Sequence, residues 1–471
     1  MNFFKIRLNA CYLSSIFLLL NFVINSYCLI EFPISAIKQK DIPKYQGFIP
    51  DTKIPDYLRN KFIKKTPPKL INFSSDSGEM KIIIHLLFVI DIELGSSKQI
   101  FNLLLDTGSS TTWVSKTGSN DLYPITHHYD PSLSYSSKDI SETFEIFYGS
   151  GYVKGTYFSD KIVYLYNKEF TMDFGVALKT NFNVNGADGI LGLARIYEDN
   201  DKSFIHTICK EHITKSKLFS VKLGLNSTNE KFGKFYIGKH DDFEKDSVVS
   251  CELKNDNYYE RNYWACDVFS FSINIKEINK TYISEKKISV IFDTGTNAIF
   301  LSYSYLKDLK NNLENINCFT KEYTTLYQPI RYQLVCQEYI PDFELNIGGH
   351  TFILPSKYFF YYDGEYAFSN IYFQDSNDIE DVFIIGSPFF VLFHVLFDGH
   401  SKELFFYPEI EGLIIKGNWW NTKHTIMTII LIIVIISLII LIITFYFWNK
   451  KNILENKFEE NYEIKNYFGL L

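Results

Sequence analysis

A chain of 471 residues exceeds what one ordinary hydrophobic core fills and leaves room for two lobes plus terminal targeting segments, so two similar halves are worth seeking. The formal net charge of -7 excludes the strongly basic balance of a nucleic-acid-binding protein and gives no broad basic face for a membrane surface. Aromatic residues reach 17%, with 43 Phe and 33 Tyr beside only 4 Met and 5 Trp, a mixture that suits sheet-rich structure and excludes general disorder.

At the N-terminus, Lys5 and Arg7 precede an apolar stretch from Cys11 to Val23 and then small or polar residues from Ser26 to Cys28. That order predicts a secretory signal peptide over 1–28. Residues 29–81 hold a modest excess of Lys and Arg, several prolines and little periodicity, which predicts a separate segment outside the main fold. From Ile82 the pattern changes to short β-branched and aromatic runs, such as His85 to Leu94 and Ile100 to Leu105, separated by Gly, Asn, Asp and Ser. Those runs predict an all-β body. Helical periodicity is confined to short stretches, chiefly Phe204 to Glu211 and Leu306 to Leu313.

Of the seven cysteines, Cys11 and Cys28 fall in the signal segment. The remaining five predict two local bridges in an oxidising compartment, Cys251 with Cys266 and Cys318 with Cys336, each contributing about 3 kcal/mol. Cys209 is left over as a buried apolar residue. Asn72, Asn226 and Asn279 each open an Asn-X-Ser/Thr triplet, consistent with a glycoprotein on a secreted route. From Thr425 to Trp448 the chain is almost pure Ile, Leu and Val without a charge, and 24 residues at about 1.5 Å rise span about 36 Å. Trp419, Trp420, Tyr446 and Trp448 flank this run, and Lys450 and Lys451 follow it, which predicts a type I membrane protein with its body lumenal or extracellular. Residues 449–471 then form a cytosolic tail ending in Tyr467-Phe-Gly-Leu470-Leu471, which resembles short sorting signals.

The decisive feature is internal repetition. Leu103-Leu-Leu-Asp106-Thr107-Gly108-Ser109-Ser110 recurs as Val290-Ile-Phe-Asp293-Thr294-Gly295-Thr296, with the aspartates 187 positions apart. One Asp-Thr-Gly after an apolar strand is an ordinary Asx-turn; two at the spacing of one lobe are not. Each is followed by an apolar stretch ending in Gly: Asp188-Gly-Ile190-Leu191-Gly192 and Phe383-Ile384-Ile385-Gly386. Both halves share this two-part plan over about 82–245 and 246–412.

Over about Ile82 to Glu411 these paired motifs resemble the pepsin family of aspartic proteases. The resemblance implies a bilobal fold of two β-rich lobes facing a cleft that binds an extended peptide. It assigns Asp106 and Asp293 as the catalytic pair, Thr107 and Thr294 as ties between the two loops, and Ser109 and Thr296 as hydroxyls holding the outer carboxylate oxygens. Phe147-Tyr148-Gly149-Ser150-Gly151 matches the family's flap, with Tyr148 as the flap residue and Trp113 as its partner. The basic residues 29–81 become a zymogen pro-segment, with Lys61, Lys64 and Lys65 available to neutralise the acids.

Two carboxylates about 3 Å apart, as is general for this family, share one proton and hydrolyse a peptide through an activated water, with neither cofactor nor metal. The expected partners are a peptide or protein substrate and a membrane, with the protein a monomer. Two departures stand out. No Cys lies between Lys116 and His128, where the family has a small disulfide, and Gly386-Ser387-Pro388 replaces the usual Gly-Asp-X, a change expected to move the pH optimum. A competing expectation is a non-catalytic peptide-binding receptor on the same fold, which loss of either Asp would favour. A plain membrane glycoprotein leaves the repeat unexplained.

Overall fold

The structure is a computed structural model. It describes residues 30–38, 86–417 and 432–451, except 124, 149–150, 165–167, 182–185, 196–201, 212, 215–216, 225–230, 256–261, 326–327, 338–339, 363–365 and 376–382. The signal segment, Lys61, Lys64, Lys65, Asn72, Asn226 and the tail beyond Lys451 lie outside the described residues.

Among the described residues strands dominate, as the alternating aromatic and β-branched runs predict, and they form one sheet of 13 strands and one of 11. The two sheets repeat one arrangement around the two aspartates. In the first half, Gln99–Asp106 runs parallel to Gly189–Gly192, with Asp106 opposite Gly192. The next strand, Trp113–Asp121, lies antiparallel to Gly189–Gly192 and parallel to Lys168–Thr180. The second half matches strand for strand. Lys280–Phe292 runs parallel to Phe383–Ile385, while Ile299–Ser302 lies antiparallel to Phe383–Ile385 and parallel to Ala367–Asp375. A βαβ-free parallel pairing of this kind requires a long return through intervening strands, which is why each half needs most of a lobe to close it.

The halves are not independent. Phe393–Asp398, from the second half, pairs with Leu218–Leu223 from the first, and Glu403–Pro408 and Val249–Glu252 continue the same sheet. A single core of buried side chains runs through both, built on Phe219, Phe397, Trp264, Phe292, Phe389 and Phe406. Phe219 stacks on Phe397 at 4.7 Å between ring centroids, and the Trp264 indole N–H donates to the Leu193 carbonyl at 2.8 Å. A smaller cluster of Val89, Leu104, Trp113, Phe144, Val153 and Ile190 lies under the hairpin formed by Lys138–Tyr148 and Gly151–Tyr164.

The two helices expected from periodicity are present as Phe204–Lys210 and Tyr303–Glu314, capped by Ser203 and Ser302. A further helix, Ser387–Leu392, has Pro388 in its first turn and is buried throughout, so it carries no amphipathic signal. One expectation is corrected: residues 29–81 do not all stay outside the fold. Ile30–Lys38 is a strand of the larger sheet, paired with Lys231–Ile237 on one side and Leu86–Leu94 on the other. Its Phe32 and Ile34 are buried, with the Phe32 ring 5.8 Å from that of Phe235.

Both expected disulfides are formed, Cys251–Cys266 and Cys318–Cys336. Cys209 is unpaired but half-buried rather than buried, because it lies on the partly exposed side of its short helix. Residues 417–471 form a second compact unit, within which Ile432–Lys451 is one helix of 20 residues, long and apolar enough to cross a membrane.

Candidate active site

Each Asp-Thr-Gly sits where an apolar strand ends against the strand carrying the second Gly. The Leu193 amide donates to the Asp106 carbonyl at 2.8 Å, and the Asp293 amide donates to the Ile385 carbonyl at 2.9 Å. A Cβ on Gly192 or Gly386 would be driven into the backbone of Ser110 or Thr296, so the glycines of the second motif are what let the loops close down.

The two loops are bolted together by their threonines. Thr107 Oγ1 donates to the Phe292 carbonyl at 2.7 Å and accepts from the Thr294 amide at 3.0 Å. Thr294 Oγ1 reciprocates, donating to the Leu105 carbonyl at 2.8 Å and accepting from the Thr107 amide at 3.1 Å. Both side chains are buried, so these four hydrogen bonds form only if the halves meet in this one register.

The carboxylates are held alike. Asp106 Oδ1 accepts from the Gly108 amide at 2.9 Å and Oδ2 from the Ser109 hydroxyl. Asp293 Oδ1 accepts from the Gly295 amide at 2.8 Å and Oδ2 from Thr296 Oγ1 at 2.7 Å. Each also presses on the opposite loop: a Cβ added to Gly108 would lie 2.6 Å from Asp293 Cγ, and one added to Gly295 would lie 2.5 Å from Asp106 Oδ1. The two carboxyls meet beside Gly295, whose added Cβ would also lie 3.2 Å from Asp293 Oδ1. Burial, and next the charge of Asp293, raise the Asp106 pKa well above the usual carboxylate range, against the opposing pull of Ser109 and Gly108. Asp106 therefore holds its proton to higher pH than an isolated carboxylate would.

Above Asp106 lies the hairpin. The Trp113 indole N–H donates to the Tyr148 hydroxyl at 2.9 Å, and Tyr148 is also hydrogen-bonded to Ser109. Ser109 thus stands between the phenol and the carboxylate, linking Trp113 and Tyr148 to Asp106. Burial, then the Asp106 charge, push the Tyr148 phenol far up, which keeps it protonated. Gly149 and Ser150 lie outside the described residues.

The cysteine-free loop after Trp113 is held by buried carboxylates that the sequence reading passed over. Asp121 Oδ2 accepts from Ser115 Oγ at 2.6 Å and Ser119 Oγ at 2.5 Å and faces His128 Nε2 at 3.4 Å. Asp188, fully buried, accepts from the Asn102 and His127 amides and meets His127 Nδ1 at 2.8 Å. The His-His pair before Tyr129-Asp-Pro and the Asp opening the Gly motif are the residues that could have signalled it. Tyr129 itself is buried and donates to Asp160 at 2.6 Å, in keeping with a scaffold role.

Residues 87–408 match the model of the eukaryotic aspartyl protease family. Canine renin is 26% identical over 337 residues, covering 67% of this chain and 77% of renin. Plasmepsin IV of Plasmodium falciparum is 25% identical over 342 residues, 70% of each chain, and mouse gastricsin 24% over 399 residues, 81% of this chain and 96% of gastricsin. The chain belongs to the eukaryotic aspartyl protease family, with the pepsin-like bilobal fold, and is an aspartic-type endopeptidase.

Proposed function

We propose that Asp106 and Asp293 share one proton and activate a single water to hydrolyse peptide bonds in extended protein substrates. The observation that carries this is the meeting of two carboxyls, one from each half, each against the glycine of the opposite loop, with the Asp106 pKa raised by burial and by its partner's charge. The ionised carboxyl takes a proton from the water as its oxygen attacks the scissile carbonyl carbon. The protonated carboxyl donates to the carbonyl oxygen, giving a neutral tetrahedral diol. The diol collapses as its C–N bond breaks, the nitrogen taking the proton removed from water and a diol hydroxyl returning its proton to the other carboxyl. No acyl-enzyme forms, and Thr107, Thr294, Ser109 and Thr296 position the acids. Tyr148 and Trp113 close over the substrate, favouring large apolar residues beside the bond cut.

The enzyme works as a monomer in acid, where the pair keeps its single proton, and is lost to activity as pH rises through the upper pKa of the pair. It is made as a zymogen, its N-terminal basic segment including the sheet strand Ile30–Lys38. The apolar helix Ile432–Lys451 anchors it as a type I membrane protein with the two disulfides on the lumenal or extracellular side. Asp106→Asn and Asp293→Asn should each lower hydrolysis of a peptide substrate by ~10³-fold or more with an unchanged circular dichroism spectrum. Retained activity in either folded variant defeats the proposal.

A further inference from the structure

We propose that Asn279 carries an N-linked glycan, transferred from a lipid-linked oligosaccharide; this rests on the lumenal placement of the catalytic body proposed above. The triplet Asn279-Lys280-Thr281 occupies the end of the hairpin formed by Ala265–Ile275 and Lys280–Phe292. A single 3-10 turn, Lys276–Ile278, makes the bend, and Asn279 caps it with φ 49° and ψ 48°. That left-handed conformation suits Asn, so the turn alone accounts for the residue. It does not account for the surroundings. Asn279, Lys280 and Thr281 are all exposed, as is Lys276 across the bend, so both the acceptor amide and the hydroxyl two residues on lie in open solvent. A glycan added before folding is then compatible with the folded hairpin, which a buried acceptor would forbid. The transfer joins Asn279 Nδ2 to the anomeric carbon of the first sugar. The bond from that carbon to the lipid pyrophosphate breaks, the pyrophosphate leaves with the electron pair, and an amide proton is lost to the transferase.

Geometry also fixes what the glycan does not do. Asn279 precedes the first residue of the 13-residue strand whose far end delivers Asp293. At about 3.3 Å per residue the glycan sits roughly 40 Å from the carboxylates, so it covers the hairpin end without reaching the peptide. The test expresses the full chain in a secretory eukaryotic host and maps it by mass spectrometry with and without an N-glycan amidase, alongside a map of the disulfides. Expected are hexosamine-containing glycan on the Asn279 peptide, its loss in Thr281→Ala, its return in Thr281→Ser, and hydrolysis rates equal within about two-fold in all three. Bare Asn279 in a chain with both disulfides formed overturns this proposal and leaves the lumenal placement standing. Bare Asn279 with the cysteines reduced overturns both.

Discussion

The two halves present the same loop to each other and differ in almost everything behind it. Around Asp106 and Asp293 the strand order, the paired threonines and the hydroxyl and amide donors correspond one to one. Away from that contact, the first half carries the Tyr148 hairpin and holds its cysteine-free loop with Asp121, Asp188 and two histidines, whereas both disulfides include cysteines of the second half. Symmetry is kept where two polar loops must satisfy each other in a dry interface. It lapses where each lobe has only its own periphery to hold.

The comparison can be broken at the contact itself. Gly108→Ala and Gly295→Ala should be equally damaging, each cutting kcat/KM by ~10²-fold or more because the new methyl displaces the opposite carboxyl, as steady-state hydrolysis would show. A tolerated methyl on one side alone means that the halves are not equivalent there. Behind the contact, replacing Cys318 and Cys336 by Ala should cost about 3 kcal/mol by chemical unfolding, since the bridge spans 18 positions. Asp121→Asn, which weakens the corresponding brace of the first half, should cost about 2 kcal/mol, comparable in scale though wholly non-covalent.

A smaller effect tests the sheet shared by both halves. His394 is fully buried between the rings of Tyr236 and Phe243, with Nδ1 3.1 Å from Asp242 and Nε2 2.9 Å from Ser220. Burial lowers its pKa to about 4, opposed by the hydrogen bond and charge of Asp242 and helped by Lys222 and His240. Asp242, with Lys245 at 2.5 Å, is held well below the usual carboxylate range and stays ionised. With a folded pKa below the ordinary 6.5, His394 supports stability above pH 6.5 and withdraws it as pH falls towards 4, by at most about 3 kcal/mol. Thermal midpoints at pH 7 and pH 4.5 should therefore diverge more in the wild type than in His394→Gln; equal slopes remove His394 from the account.

How much of this was legible follows from locality. The Asp and Gly motifs are short, repeated and chemically odd for strand ends, so the β-rich fold and the residues that meet at its centre could be read before any coordinates. Both disulfides close short loops and were equally readable. Ile30–Lys38 was not: its partners at Lys231–Ile237 lie some two hundred positions on, and Pro33 argues against a strand until the register shift beside it, between Ile34 and Ser35, is seen. The Asp121 and Asp188 braces escaped for the same reason, since a carboxylate facing a distant hydroxyl or imidazole leaves no periodic trace.

The central claim, two acids from separate halves around one water, is tested most directly by a crystal structure with a statine-type inhibitor, whose secondary alcohol mimics the tetrahedral diol. That alcohol should lie within hydrogen-bonding distance of both Asp106 and Asp293, in the place of the water. An inhibitor bound with its alcohol touching one carboxylate alone, or neither, would contradict it.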